Sequence, residues 1–320
     1  MKRLQYFIII MATIACACNG VDNKDEYVSL QKEAVTTLQK VLQEQNEWVK
    51  VHAAEFLIWT GNAEGVKEHF IKELEQSGNQ PQYRIGIRRV LAQVSKSLEK
   101  EHYQQDILQA FLDTTGKDRI HAAETLAKLK ISPYITDPEK TAAALNSNDM
   151  ALQGYTHWAM AYTNDSTMAK AQSYFVNNLT NPEADIVLRR ISSYVLRYIG
   201  GISNEAWNTL ADNILAMPDE HEEKISLLTT TIILADEQAT KAEKYQSLKK
   251  MLLAFAKKNT KTARIEIANA LVAKGTKADL TLLQQWLRNE IPIGINADDA
   301  DVQASAAYAI LSICERVNNH

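Results

Sequence analysis

The sequence predicts an all-α chain assembled from repeated helix pairs, and three observations carry that prediction. Glycine and proline are scarce, 11 and 6 in 320 residues, about 5% against the roughly 12% of average usage. Sandwiches, barrels and doubly wound sheets spend these residues on many turns, so their scarcity favours helices. Apolar residues then recur at helical spacing nearly to the end of the chain. Finally, the chain resembles itself: Trp48-Val-Lys-Val-His-Ala-Ala-Glu55 returns as Lys117-Asp-Arg-Ile-His-Ala-Ala-Glu124. With 46% hydrophobic and 23% charged residues, the composition is that of a folded protein.

The first element is not part of that array. Lys2 and Arg3 precede an apolar run from Tyr6 to Cys18, whose 13 residues would make a helix of roughly 20 Å, too short for a bilayer core of about 30 Å. A basic start, a short apolar run and a small-residue end read as a secretory signal over residues 1–18. The ending Ala15-Cys16-Ala17-Cys18 resembles the lipobox of bacterial lipoproteins. Cys18 is the expected lipidation site because the polar Asn19-Gly20 follows it; Cys16 is the alternative. Cleavage would remove Lys2 and Arg3 and leave 33 basic against 39 acidic residues, a net of about −6. That balance disfavours nucleic acid as a partner, and membrane contact is expected through the lipid alone. Export and anchoring in the cell envelope, in the outer membrane, follow as expectations. Cys314 would then be the one cysteine of the folded part, with no disulfide framework.

A tether over 19–26 leads into the repeats, expected over 27–320. A basic or amide residue recurs at Lys50, Arg84, Arg119, Gln153, Arg189, Lys224, Arg264 and Gln303, at spacings of 34 to 40 residues. A small pair follows it, as in Ala53-Ala54, Ala122-Ala123, Ser192-Ser193 and Ala306-Ala307, with Leu227-Leu228 the exception. Seven residues after most of these positions stands a large apolar residue: Leu57, Leu91, Leu126, Met160, Leu196, Leu271 and Ile310. Asn46, Thr115, Asp149, Asp185, Thr260 and Asp299 are placed to cap the helix that carries the motif, and Pro81 suits a first helical position. First helices are expected near 27–44, 63–76, 97–113, 138–146, 166–180, 204–217, 239–257 and 277–289. Second helices are expected to start near 47, 82, 117, 150, 184, 221, 261 and 300.

The pattern Asp/Asn-x-x-x-Arg-x-x-Ala-Ala-x-x-Leu resembles the HEAT-repeat family of armadillo-like α-solenoids, over about residues 27–317. The resemblance implies a right-handed solenoid of about eight helix pairs, with second helices lining a concave surface. It also implies a polar ladder, for which Asp149, Asp185 and Asp299 match the acidic position and Arg84, Arg119, Arg189 and Arg264 the basic one. Only the fifth unit, Asp185 with Arg189, holds both.

Motifs for chemistry are sparse. There is no His-Glu-x-x-His, no Cys-x-x-Cys beyond the signal and no phosphate loop. His52 with Glu55 and His121 with Glu124 are pairs at i and i+3. Two repeats, each advancing about one helix diameter of roughly 10 Å, would hold them about 20 Å apart. A zinc ion needs its ligands within about 2.0–2.3 Å, so solvated His–Glu contacts are expected and no metal. Ser192-Ser193 and Cys314 have no base partner in the pattern. No cofactor and no enzymatic activity are expected.

The second helices carry the stronger signal. If Val49, Ala53, Phe56, Leu57 and Thr60 face inward, then Trp48, His52, Glu55 and Trp59 share the opposite face. Through the repeats that face gains Gly86, Arg89, His121, Glu124, Tyr155, Trp158, Tyr162, Tyr194, Tyr198 and Tyr308. Trp, Tyr and Arg dominate binding hot spots. The expectation is therefore a lipid-anchored envelope scaffold that binds a protein or peptide on a partly exposed concave face, with Trp158 near its centre. The alternatives are a module for a glycan or small polar ligand, and an accessory subunit of an envelope enzyme.

Overall fold

The computed structural model describes residues 23–294 and 299–318. The signal segment with Cys16 and Cys18 lies outside the described residues. The described residues are overwhelmingly helical, with no strand among them. The first four pairs are α1 (Asn23–Glu44) with α2 (Glu47–Trp59), α3 (Val66–Ser77) with α4 (Pro81–Val94), α5 (Ser97–Leu112) with α6 (Arg119–Lys128), and α7 (Pro138–Leu145) with α8 (Met150–Met160). They are followed by α9 (Asp165–Thr180) with α10 (Ile186–Ile199) and α11 (Asn204–Ala216) with α12 (Lys224–Leu234). After the single turn α13 (Glu237–Thr240) come α14 (Glu243–Ala254) with α15 (Lys261–Lys274) and α16 (Leu280–Leu287) with α17 (Ala300–Asn318). Helix α1 begins at Asn23, inside the expected tether, and the expected 239–257 helix is broken by α13.

The repeat motif places the core. Ala53, Ala54, Ala122, Ala123, Ser192, Ser193, Ala306 and Ala307 are fully buried, as are Leu57, Leu91, Leu126, Leu196, Leu271 and Ile310. Small residues let neighbouring backbones approach, and the large apolar residue two turns on fills the space beside them. Leu227 and Leu228 are buried in α12 in the same way, and that helix starts at Lys224, three residues later than its register suggested.

Caps follow the expected sites in part. Asp149 accepts from the backbone N–H of Ala151 and Leu152, Asp185 from Val187 and Leu188, and Thr260 from Ala263. Asn46 makes no side-chain cap, and Thr115 bonds to Asp113 instead. The expected ladder is corrected. Asp149 and Asp185 cap their own helices, and two of the basic residues reach forward to other acids in the next unit. Arg84 pairs with Asp118 at 2.6 Å and Arg189 with Glu223, both acids standing immediately before a second helix. Arg119 instead donates to the Phe111 carbonyl at 2.9 Å.

Second helices succeed one another in contact: α2 on α4, then α6, α8, α10, α12, α15 and α17. The series then returns, since α17 packs on α2 and lies along α1. Arg288, just after α16, grips Glu33 of α1 through two hydrogen bonds of 2.8 and 2.9 Å. The Phe56 and Tyr308 rings stack with centroids 4.6 Å apart. The array closes on itself, so the second helices face one another around an axis instead of lining an open concave side. Cys314 sits on the buried side of α17 and forms no disulfide.

Candidate functional site

Closure brings the polar and aromatic face of the second helices together. One layer of it is solid core. Trp158 is fully buried and touches Tyr155, Tyr194 and Tyr198 at centroid distances of 6.5, 5.8 and 5.0 Å. It is therefore a packing residue, and the expectation of an exposed Trp158 is overturned. Glu55 and Arg89 are also buried. They form a two-pronged ion pair, Nε to Oε1 at 2.7 Å and Nη2 to Oε2 at 2.9 Å, and Arg89 reaches the Thr125 hydroxyl at 3.3 Å. Burial alone would raise the Glu55 carboxyl, but the Arg89 and Lys128 charges and the Gln93 amide hold it below its ordinary value.

The His–Glu contacts expected at i and i+3 are not the ones formed. His121 stacks on Trp48 with centroids 5.4 Å apart, and Glu124 pairs with Lys128 at 2.9 Å. Burial would raise Glu124, yet Lys128 and Arg89 bring it down to about 2. His52 meets Asp301 of α17 across the closure, Nδ1 to Oδ1 at 3.1 Å, while Lys261 lies 3.3 Å from the other Asp301 oxygen. The expected 20 Å separation of the two motifs is corrected too, because Trp48, one turn before His52, reaches past α4 to stack on His121. No trio of His, Cys, Asp or Glu among the described residues is arranged to hold a metal.

Beside this packed layer a cavity of about 380 Å³ remains open on the axis, lined only by second helices. α2 contributes His52, Glu55, Phe56 and Trp59; α10 contributes Tyr194, Arg197 and Tyr198; α17 contributes Asp301, Ser305 and Tyr308. Lys128 of α6, Ile233 of α12 and Ile265, Asn269, Val272 and Ala273 of α15 complete it. Trp59 and Tyr198 remain 43% and 48% exposed, so two aromatic rings stand at a cavity instead of being absorbed by it. Trp59 is held by a relay: its indole N–H donates to Gln93 Oε1 at 2.9 Å, and the Gln93 amide donates to Glu55 at 3.0 Å. The Tyr194 hydroxyl reaches Glu124 at 3.3 Å and Tyr198 at 3.2 Å.

Of the twelve residues read as a binding face, His52, Glu55, Trp59, Tyr194 and Tyr198 line the cavity. Trp48, Arg89, His121, Glu124, Tyr155, Trp158 and Tyr162 pack behind or beside it. Sequence reasoning placed Phe56 in the core and missed Arg197, Asn269 and Asp301. Phe56 reads as core because it lies on the apolar stripe, and only the return of α17 turns it toward Tyr308. The other three lack any local signal, since they face the cavity only because the array closes.

Compared with protein-family models, with curated proteins and with solved structures, the chain finds no match in any of the three.

Proposed function

We propose that this chain is a binding protein that takes a small polar ligand into its axial cavity and performs no chemistry on it. The observation that carries the reading is the cavity itself: about 380 Å³, within the range of roughly 300–1,000 Å³ of small-molecule sites, with exposed aromatics beside convergent polar groups. A folded chain seldom leaves a Trp and a Tyr exposed at one cavity unless they make a contact. The protein or peptide partner favoured from sequence has less support, because much of the face that would receive it is spent on internal packing. The repeat motif and the alternation of first and second helices support a HEAT-like, right-handed superhelix drawn into a closed form. The lipobox supports delivery to the cell envelope, with Cys18 as the anchor.

The test is to fill the cavity. Ala273→Trp should abolish the thermal stabilisation that a library of small polar metabolites gives the parent chain, while circular dichroism stays unchanged. Retained stabilisation in a folded Ala273→Trp protein would remove the cavity from the function. Turnover of a bound compound by the parent chain would replace the binding role with an enzymatic one.

A further inference from the structure

We infer that the ligand is an uncharged sugar ring, a neutral saccharide unit held between Trp59 and Tyr198; this rests on the cavity being the binding site. The first support is charge. Each ionised group lining the cavity already has a counter-charge: Glu55 has Arg89 at 2.7 Å, Lys128 has Glu124 at 2.9 Å, Arg197 has Glu266 at 2.9 Å, and Asp301 has Lys261 at 3.3 Å. Arg197 is further committed through hydrogen bonds to Thr230 and Ser226 at 2.8 and 3.0 Å. An ionic ligand entering here would give up its hydration and gain no free counter-ion, an unfavourable exchange.

A second support is the placing of the rings. In the cyclic order of second helices α2 is first and α10 is fifth of eight, so the two stand opposite each other. Phe56 and Trp59, backed by Tyr308, form one wall, and Tyr194 with Tyr198 forms the other. Two opposed aromatic surfaces suit a ring whose faces are C–H and whose edge is hydroxyl. The edge has partners in kind. The Asp301 carboxylate accepts, and the Asn269 amide, which bonds to no described residue, can both donate and accept. A nucleobase shares the flat faces, but its edge groups have fixed donor or acceptor roles in the ring plane, whereas each sugar hydroxyl can serve as either.

The experiment titrates the folded chain by calorimetry and tryptophan fluorescence. The probes are a neutral gluco-oligosaccharide of two to four units, the hexuronic-acid and amino-sugar oligomers of equal length, and adenosine. The neutral oligomer should bind at least tenfold tighter than the charged ones, with an affinity unchanged between 50 and 500 mM salt, since no free ion pair is made. Trp59→Ala and Tyr198→Ala should each weaken it at least tenfold without lowering the melting temperature by more than a few degrees. Preference for a charged oligomer or for adenosine, abolished by Ala273→Trp, would overturn the saccharide assignment and leave the cavity standing. Absence of binding by all four probes would overturn the assignment as well. Binding of the neutral oligomer that survives both Ala273→Trp and the aromatic variants would overturn the assignment and the cavity together.

Discussion

Trp48 and His121 stack at 5.4 Å with ring planes 23° apart, although they belong to the first and third units. The helix between them, α4, lets this happen at Gly86, where an added Cβ would stand 2.9 Å from the Trp48 ring and 3.2 Å from Val51. Gly86→Ala is accordingly expected to destabilise by about 1–3 kcal/mol, overpacking outweighing the gain of about 1 kcal/mol in helix propensity. In a Trp48→Ala background the same change should cost much less. A double-mutant cycle from thermal or urea melts checks this, with a coupling of at least about 1 kcal/mol expected. Simple additivity would show that Trp48 does not lie over Gly86.

The buried Arg89–Glu55 pair predicts asymmetric losses. Arg89→Leu leaves a carboxylate in the interior and should cost about 3–5 kcal/mol, whereas Arg89→Leu with Glu55→Leu should recover much of that. Urea titrations of the three variants decide it. A double variant weaker than Arg89→Leu alone would contradict the account.

Trp158→Ala is expected to cost about 3–5 kcal/mol, since the indole is fully enclosed by Tyr155, Tyr194 and Tyr198. A differential scanning melt reads it directly. A midpoint within a few degrees of the parent would mean that the ring is not the plug described.

Acid should act in two stages. Burial holds His69, His121 and His157 below the ordinary value of 6.5. Their unfolded forms therefore protonate first, and stability falls as pH drops below 6.5. Glu55 and Glu124 are depressed from 4.5, Glu124 to about 2. Their contribution is present above 4.5 and is lost as pH falls from there toward about 2. Melting temperature against pH should be flat from 7 to 8, decline below 6.5 and steepen below 4.5. His157→Phe, which keeps a ring against Tyr174, should reduce the first stage and leave the second.

Helices were legible because local rules set them. All eight expected first helices form within four residues of their bounds, the seventh as α14 after the separate turn α13, and all eight second helices begin within three of the starts read from the basic motif. The face that would carry function was legible in the same way, since one helix determines which side is apolar. What that face would meet was not legible. The pairs Glu33–Arg288, His52–Asp301 and Phe56–Tyr308 have no local pattern, and nothing in residues 47–59 announces that α17 will cover them. Resemblance to an open array therefore left Trp158 exposed on paper, where closure buries it. The acids of the ladder were not legible for a different reason. An aspartate at a helix start can cap its own helix or pair with a neighbouring cation, and capping won at Asp149 and Asp185.

The seam between the ends of the chain also sets how the molecule must be assembled. Most contacts join helices of the same or neighbouring pairs, but His52 and Asp301 are 249 residues apart and Glu33 and Arg288 are 255 apart. Bringing such distant ends together carries a chain-entropy cost that grows as the logarithm of the loop, about 5 kcal/mol for a flexible chain of this length. Helix pairs are therefore expected to form early and the seam last. Until it forms, α1 and α2 present a surface that α17 of a second copy fits as well as their own. Refolding at high concentration should produce an exchanged dimer in which every contact is native and only the ownership of α17 has changed. Size-exclusion profiles after refolding across a hundredfold range of concentration would reveal it, and a wholly monomeric product throughout would place the seam early in folding.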